Sequence, residues 1–185
     1  AWLEREQTEL SGRVIRLHVI ANSDTEADQA LKLRIRDRIL EEAAGYFQAG
    51  QTVEEAAAEL TEYLPTLAEA GAQVVREAGY DYPVSASLEP NVWFPTKTYT
   101  DFSLPAGSYT ALRIVIGEGE GRNWWCVAFP PLCLGSVTET VEETACTGGF
   151  TRSEGALITG ETEGYVVKFK AMELWDEFKE WTGRW

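Results

Sequence analysis

Three cysteines and one histidine are the first candidates for chemistry in this 185-residue chain. Two of the cysteines, Cys126 and Cys133, lie in one short stretch, RNWWCVAFPPLC (122–133). A thiol becomes a nucleophile when a nearby base or cation lowers its pKa, so His18 would have to pair with one of the cysteines. The apolar strand around Cys126 instead predicts a raised pKa and an unreactive thiol, which disfavours Cys–His catalysis.

The sequence shows no spacing that is typical of a metal or nucleotide site. It has no Cys-x-x-Cys and no second histidine to complete a zinc site. It has no Gly-x-Ser-x-Gly elbow for a nucleophilic serine. The glutamates of GEGEG (117–121) would repel phosphate, and no Lys-Ser/Thr follows it. We therefore expect no metal and no cofactor, while a carboxylate pair stays open without a spacing that nominates one.

A disulfide is the alternative use of the cysteines. Cys126 and Cys133 in an extended segment would have Cα atoms more than ~20 Å apart, whereas a disulfide needs ~4.4–6.8 Å. The chain must therefore turn between them, within the stretch that contains Pro130 and Pro131. We predict the pair Cys126–Cys133 first and a pair of either with Cys146 second. Three buried, reduced thiols are the remaining alternative.

A polar run follows His18 at the predicted start of a helix. Asn22, Ser23 and Asp24 lie where free backbone N–H groups would attract a carboxylate or another anion. These four residues form a candidate polar binding site. The structural alternative is a histidine that packs at a strand end and hydrogen-bonds the helix cap.

The net charge of −14 disfavours nucleic acid and anionic lipid as general partners. Between Arg13 and Arg38, however, six Lys/Arg stand against four Asp/Glu. That local excess fits either a solvated helix face or a patch for an acidic partner. No apolar run reaches the ~18 residues of a membrane span, and we expect a removed export or anchor segment ahead of a lead-in over residues 1–12.

The hydrophobic pattern predicts a single mixed α/β domain over 1–185, in the order β-α-α-β-β-β-β-α, with a mixed sheet packed against helices. Alternation in RVIRLHVI (13–20) predicts a first strand with a strongly apolar face. Capping boxes at Ser23–Glu26 and Thr52–Glu55 predict two helix starts. Apolar residues at every fourth position from Ala27 to Phe47 predict the buried side of the first helix, and Pro65 should kink or end the second helix. GEGEGRN (117–123) predicts a hairpin loop between two strands. The remaining predictions are strands at 83–90, 108–117, 123–130 and 165–170, a long, mobile loop over 135–164, and a closing helix over 174–185.

Four blocks of the sequence together closely resemble one protein family. They are IRLHVIANSDTEADQALKLRIRD (15–37), VWFPTKTY (92–99), LPAGSYTALRIVIGEGEG (104–121) and NWWCVAFPPLC (123–133). The family they resemble is stage II sporulation protein R of endospore-forming Firmicutes. Long, ordered blocks of this kind make the resemblance specific for that part of the chain.

The resemblance implies a secreted signal rather than an enzyme. Proteins of this family leave the forespore for the space between the forespore and mother-cell membranes. There they trigger a membrane-bound aspartic protease, which cleaves the pro-form of the sporulation sigma factor E. The resemblance thus implies that protease as the partner and an extracytoplasmic location that permits a disulfide. It brings no catalytic residues with it.

A signalling ligand needs an exposed aromatic or polar patch. Trp124 and Trp125 are adjacent on a predicted strand and should face opposite sides of it. The polar residues of FPTKTY (94–99) favour a contact loop, although core packing is the alternative for each aromatic. The candidate contacts are Trp93, Phe94, Thr96, Lys97, Tyr99, Trp124 and Trp125.

Two other functions stay open from the residues alone. A cell-envelope hydrolase would use His18 with a thiol or a carboxylate. A glycan-binding module would stack sugars on exposed tryptophans.

Overall fold

A four-stranded mixed sheet with two helices on one face forms the described part of the chain. The computed structural model describes residues 9–48, 50–98 and 103–130. The helices are α1 (Glu26–Ala44) and α2 (Val53–Glu77). The sheet contains β1 (Ile15–Ile20), β2 (Val84–Phe94), β5 (Gly107–Ile116) and β6 (Asn123–Phe129), and the short β3 (Lys97–Thr98) and β4 (Ser103–Leu104) pair separately. The predicted mixed α/β class is confirmed.

Some predicted elements lie outside the described residues. They are most of the lead-in, the loop over 135–164, the strand at 165–170 and the closing helix. They stay predictions.

β1 lies between β5 and β6 in the strand order β2-β5-β1-β6. It pairs parallel with β5 and antiparallel with β6. The hairpin predicted at GEGEGRN is therefore wrong, because β5 and β6 flank β1 instead of pairing with each other. Every β1 residue except His18 is buried, and a strand this apolar is stabilised by partners on both edges.

The two helices cover one face of the sheet and enclose the larger core. The four-residue spacing predicted for α1 is confirmed from Leu31 to Ala43, whereas Ala27 at the start of the pattern is exposed. The sheet contributes the alternate residues of each strand. The buried members of this core include Leu17, Val19, Leu31, Ile35, Ile39, Leu60, Leu67, Leu112 and Ile114.

The start of α1 differs from its prediction. The N-cap is Thr25, whose hydroxyl accepts a hydrogen bond from Asp28 N at 3.2 Å. The predicted Ser23–Glu26 box is wrong because the Ser23 hydroxyl donates to the Asp28 carboxylate instead. Ser23 and Thr25 both place a hydroxyl at the start of α1, but only Thr25 occupies the N-cap position.

The second helix keeps its predicted start and runs past its proline. Thr52 and Glu55 form the reciprocal capping box, which confirms that prediction. α2 continues through Pro65 instead of ending there. Because Pro65 has no N–H, the carbonyl of Thr61 lacks its usual helical hydrogen bond. Both residues are exposed, so water can hydrogen-bond this carbonyl.

The opposite face of the sheet holds a smaller core built around a buried arginine. Arg16 is fully buried, and its Nε donates to Cys126 O at 3.1 Å. Its guanidinium carbon lies 4.4 Å from the Phe94 ring centroid and 4.9 Å from that of Tyr109. Cation–π contacts of this kind contribute about 0.5–2 kcal/mol each. The apolar members of this core are Leu10, Val14, Phe94, Leu104, Tyr109, Ala111 and Val127.

The β5–β6 connection passes over the end of β1 at very short range. Gly121 N donates to Ala21 O at 2.9 Å, and a Cβ on Gly121 would lie 2.3 Å from Ser23 O. Gly117 has a φ of 56°, and its Cβ would lie 2.1 Å from Asn22 Oδ1. Glycine is therefore required at both positions by the space left above β1.

We predict that Gly121→Ala destabilises the protein by about 1–3 kcal/mol, because the added methyl group would overlap the Ser23 carbonyl. Urea unfolding followed by circular dichroism measures the change. Gly45→Ala is the matched control. The φ of Gly45 is −67°, and the nearest atom to its Cβ, Glu42 O, would lie 3.3 Å away, so its effect should stay within about 1 kcal/mol. Equal stability of the two variants would show that the loop does not approach β1 this closely.

Candidate functional site

Cross-strand pairing aligns four polar or aromatic residues on the face of the sheet that the helices leave uncovered. His18 on β1 pairs with Arg113 on β5 and with Trp125 on β6. Arg113 also pairs with Ser87 on β2. Directly paired residues point to the same side of a sheet, so these four form one row across four strands. We call this row, together with Lys97, the sheet-face cluster.

Aromatic contacts hold the sheet-face cluster together. The His18 and Trp125 ring centroids are 6.1 Å apart, and Phe94 lies 6.2 Å from His18 and 6.1 Å from Trp125. Lys97 Nζ is 5.4 Å from the Trp125 ring centroid. Phe94 is fully buried, so it supports the cluster from beneath. The structure thus joins the His18 strand, the FPTKTY segment and the NWW segment, three parts that the sequence presents separately.

His18 is neutral at neutral pH in this setting. Burial lowers the pKa of its imidazole below 6.5, the Asn123 side chain raises it, and the positive charge of Arg113 lowers it further. Its Nε2 atom is buried without a hydrogen-bond partner among the described residues. The cluster therefore contains one neutral polar ring between an arginine and a tryptophan.

Asn22 and Ser23 belong to a different set of contacts, centred on the buried carboxylate of Asp28. Asn22 Nδ2 donates to Asp28 Oδ2 at 2.8 Å, and Ser23 Oγ donates to the same oxygen at 2.6 Å. These two hydrogen bonds, the one from Ser23 first, hold the pKa of Asp28 below its usual value of 3.8. The carboxylate of Asp28, a residue of this chain, thus occupies the N-terminal end of α1, where the sequence predicted that an anion could bind.

The same polar run also fastens the β5–β6 loop. Asn22 Oδ1 accepts from Glu118 N at 2.9 Å, and Asp24 Oδ1 accepts from Arg122 N at 2.7 Å. Lys32 Nζ donates to Arg122 O at 2.9 Å from a buried position. These internal hydrogen bonds favour the structural alternative for the polar run, and His18 contacts the aromatic cluster instead.

The other predicted contacts divide between core and surface. Thr96 is buried, and its hydroxyl accepts from Ala106 N at 3.2 Å, so it lies in the core instead of on a contact loop. Trp124 is half-buried on the helix side of β6, with the Arg36 guanidinium carbon 4.4 Å above its ring. Trp124 and Trp125 therefore face opposite sides, as predicted. Trp93 is 53% exposed near the end of β2, and Tyr99 lies outside the described residues.

Cys126 forms a disulfide in the structure. Its partner is Cys133 or Cys146, both of which lie outside the described residues, so the predicted pairing stays a prediction. Cys126 belongs to the helix-side core, whereas His18 faces the other side of the sheet. The bonded sulfur and this separation exclude Cys126 from a Cys–His pair.

Arg113 and Ser87 are not among the contacts predicted from the sequence. Arg113 interrupts the apolar run of β5, and alternation places it on the same face as Tyr109 and Ala111. That alternation was the available signal. To place Arg113 beside His18, however, one must also know the register between β5 and β1, and a single sequence does not contain that register.

The comparisons with known proteins point to one family. The family model described as stage II sporulation protein R (spore_II_R) matches residues 11–139. Stage II sporulation protein R of Bacillus subtilis (strain 168) is 36% identical over 131 residues, which are 71% of this chain. The match spans 58% of that relative's length. No solved structure matches the chain significantly.

The described part of the chain contains neither a helix suited to span a membrane nor a candidate metal centre. Neither helix there has the length and apolar character that a bilayer crossing requires. Residues 9–48, 50–98 and 103–130 contain no group of three or more His, Cys, Asp or Glu placed to hold a metal ion.

We predict that Asp28→Asn lowers the free energy of unfolding at pH 7 by about 1–3 kcal/mol, because it weakens the charge-assisted hydrogen bonds from Asn22 and Ser23. The folded pKa of Asp28 lies below its usual 3.8. The stabilisation is therefore fully present above that pH and is lost as the pH falls through the folded pKa.

Urea unfolding of the wild type and Asp28→Asn at pH 7 and near pH 2.5 tests this prediction, and the gap between the two proteins should narrow in acid. Asp37→Asn is the control, because Asp37 is an exposed carboxylate paired with Arg36 and should contribute at most about 1 kcal/mol. A gap that does not change with pH would contradict the role given to the Asp28 carboxylate.

We predict one alkylatable thiol among the three cysteines of the unreduced, denatured protein, because Cys126 is bonded to one of the other two. Intact-mass analysis after alkylation gives the count. With the pair Cys126–Cys133, Cys133→Ser should expose two thiols and Cys146→Ser none. The reverse pattern would assign the pair to Cys146, and three thiols in the wild type would rule out the disulfide.

Proposed function

The chain belongs to the stage II sporulation protein R family, and from that membership we propose that it is an extracytoplasmic signal in sporulation. In this role the forespore secretes it into the space between the forespore and mother-cell membranes. There it activates the membrane-bound aspartic protease that processes pro-sigma-E in the mother cell. The observation that carries the proposal is the family match, which includes both helices and all strands of the central sheet.

Two features of the structure support this proposal. An activator acts by binding, and the sheet-face cluster offers an aromatic ring and cations at a partly exposed surface. The disulfide at Cys126 fits a compartment outside the cytoplasm, where thiols are not kept reduced.

A complementation experiment tests the proposed function. A sporulating Bacillus strain that lacks its own protein R would express this chain behind an export segment in the forespore. We expect processing of pro-sigma-E to return to near the wild-type level, measured as the ratio of mature to pro-form on an immunoblot. The same chain without the export segment is the control and should restore no processing.

An exported chain that accumulates outside the forespore without any processing of pro-sigma-E would contradict the proposed function. Processing by the unexported control would instead contradict the extracytoplasmic site of action. Accumulation is measured by immunoblot of the same samples, so that failed export is not mistaken for failed signalling.

A further inference from the structure

The sheet-face cluster carries two cations that have no acidic partner among the described residues. Arg113 is exposed, and Lys97 is half-exposed. Neither side chain forms an ion pair with any described residue; the contact of Lys97 is the Trp125 ring. Four other described cations are paired with carboxylates, namely Arg36 with Asp37, Arg38 with Glu42, Arg76 with Glu69 and Arg122 with Asp24. The exposed Arg34 on α1 also forms no ion pair with a described residue, but it lies on the helix side, away from the cluster.

This arrangement is notable because the chain carries a net charge of −14. With so many carboxylates available, cations without an acidic partner on one surface indicate a local positive potential. On the described strands of this face, one acidic side chain is present, the half-buried Glu89 on β2. Glu89 lies two residues from Ser87 and pairs with Ala111, next to the row through Ser87 and Arg113. The two cations therefore outnumber the acid at this surface.

The remaining members of the cluster provide polar and aromatic contact around these charges. Ser87 lies at one end of the row on the edge strand β2, and Trp125 at the other end on β6. His18 between them adds no positive charge at neutral pH, because burial and Arg113 both lower its pKa. A bound group would thus meet hydroxyl, guanidinium, imidazole and indole in sequence across the sheet.

We propose that the sheet-face cluster binds an acidic segment of the protein partner that this chain activates, with carboxylates of that segment paired to Arg113 and Lys97. This inference rests on the proposed function and adds to it the surface and the charge of the partner. A guanidinium binds a carboxylate in bidentate geometry. The adjacent indole covers apolar stems, which makes the cluster suited to a peptide.

An acidic protein segment fits the whole molecule better than a phosphate polymer or an anionic membrane does. Nucleic acid and anionic lipid present dense negative charge over a wide area, which the −14 net charge of the chain would repel. A short acidic segment can contact the sheet-face cluster alone, so it avoids repulsion by the acidic remainder of the surface.

Charge reversal at the cluster tests the inference in the complementation strain. The double variant Lys97→Glu/Arg113→Glu is compared with the control Arg34→Glu/Arg76→Glu, whose arginines are exposed on the helix layer. Both variants change the net charge by the same amount. Secreted amounts are measured by immunoblot and melting temperatures by circular dichroism. If the cluster charge reversal lowers the melting temperature, Lys97→Gln/Arg113→Gln takes its place.

We expect pro-sigma-E processing with the cluster variant to fall at least about tenfold below the wild-type level. Each carboxylate of the partner's acidic segment would then face a glutamate instead of a cation. The control should keep wild-type processing, and the conservative variant Lys97→Arg/Arg113→Lys should keep most of it. In a binding assay with the extracytoplasmic region of the protease, the affinity should fall by a similar factor and the wild-type affinity should weaken with salt.

The outcomes separate the inference from the function on which it rests. Full processing by the folded cluster variant, or equal losses in cluster variant and control, would overturn the inference and leave the proposed function intact. No processing by the wild-type chain would reject the function and the inference with it. A further outcome is that the wild type and the control variant bind anionic phospholipid vesicles whereas the cluster variant does not. That result would assign the surface to a membrane and overturn the acidic-segment proposal.

Discussion

The insertion of β1 between β5 and β6 is the constraint on which the rest of the structure depends. Because β5 runs parallel to β1 and β6 antiparallel to it, their connection must pass over the end of β1. That crossing leaves no room for a side chain at Gly121. It also uses the polar groups of Asn22 and Asp24 to hold the loop. The same insertion places His18 between Arg113 and Trp125, so the strand order creates the sheet-face cluster.

The two faces of the sheet are closed by different means. On one face, aliphatic side chains from both helices exclude water from the strands. On the other face, the rings of Phe94 and Tyr109 enclose the buried Arg16, whose Nε is hydrogen-bonded to a β6 carbonyl. This second core ends at the row through His18, where the face becomes polar. Phe94 in this core contacts the Trp125 ring, and the Lys97 ammonium lies over the same ring.

Local patterns predicted what local forces decide. The spacing of Leu31, Ile35 and Ile39 gave the buried side of α1, and the alternation of β1 gave its apolar face. The strand order was not predictable in this way, because a glycine-rich loop fits a hairpin and a crossing equally well. The candidate site followed the same rule: His18, Lys97 and Trp125 were recognised by residue type, whereas Arg113 required the register between two distant strands.

The irregularity in β2 has a consequence for the order of its residues. Glu89 pairs with Ala111 and Val92 with Tyr109, so β2 has one more residue than β5 over this interval. The extra residue reverses which positions point to each side, as β-bulges do. If the same residues paired regularly from Glu89 onward, without the bulge, Trp93 instead of Phe94 would lie opposite Gly107. The indole would then face the sheet-face cluster, and the phenyl ring would point to the other side of the sheet. The bulge, and not only the composition of the strand, therefore decides which aromatic ring supports the candidate binding surface.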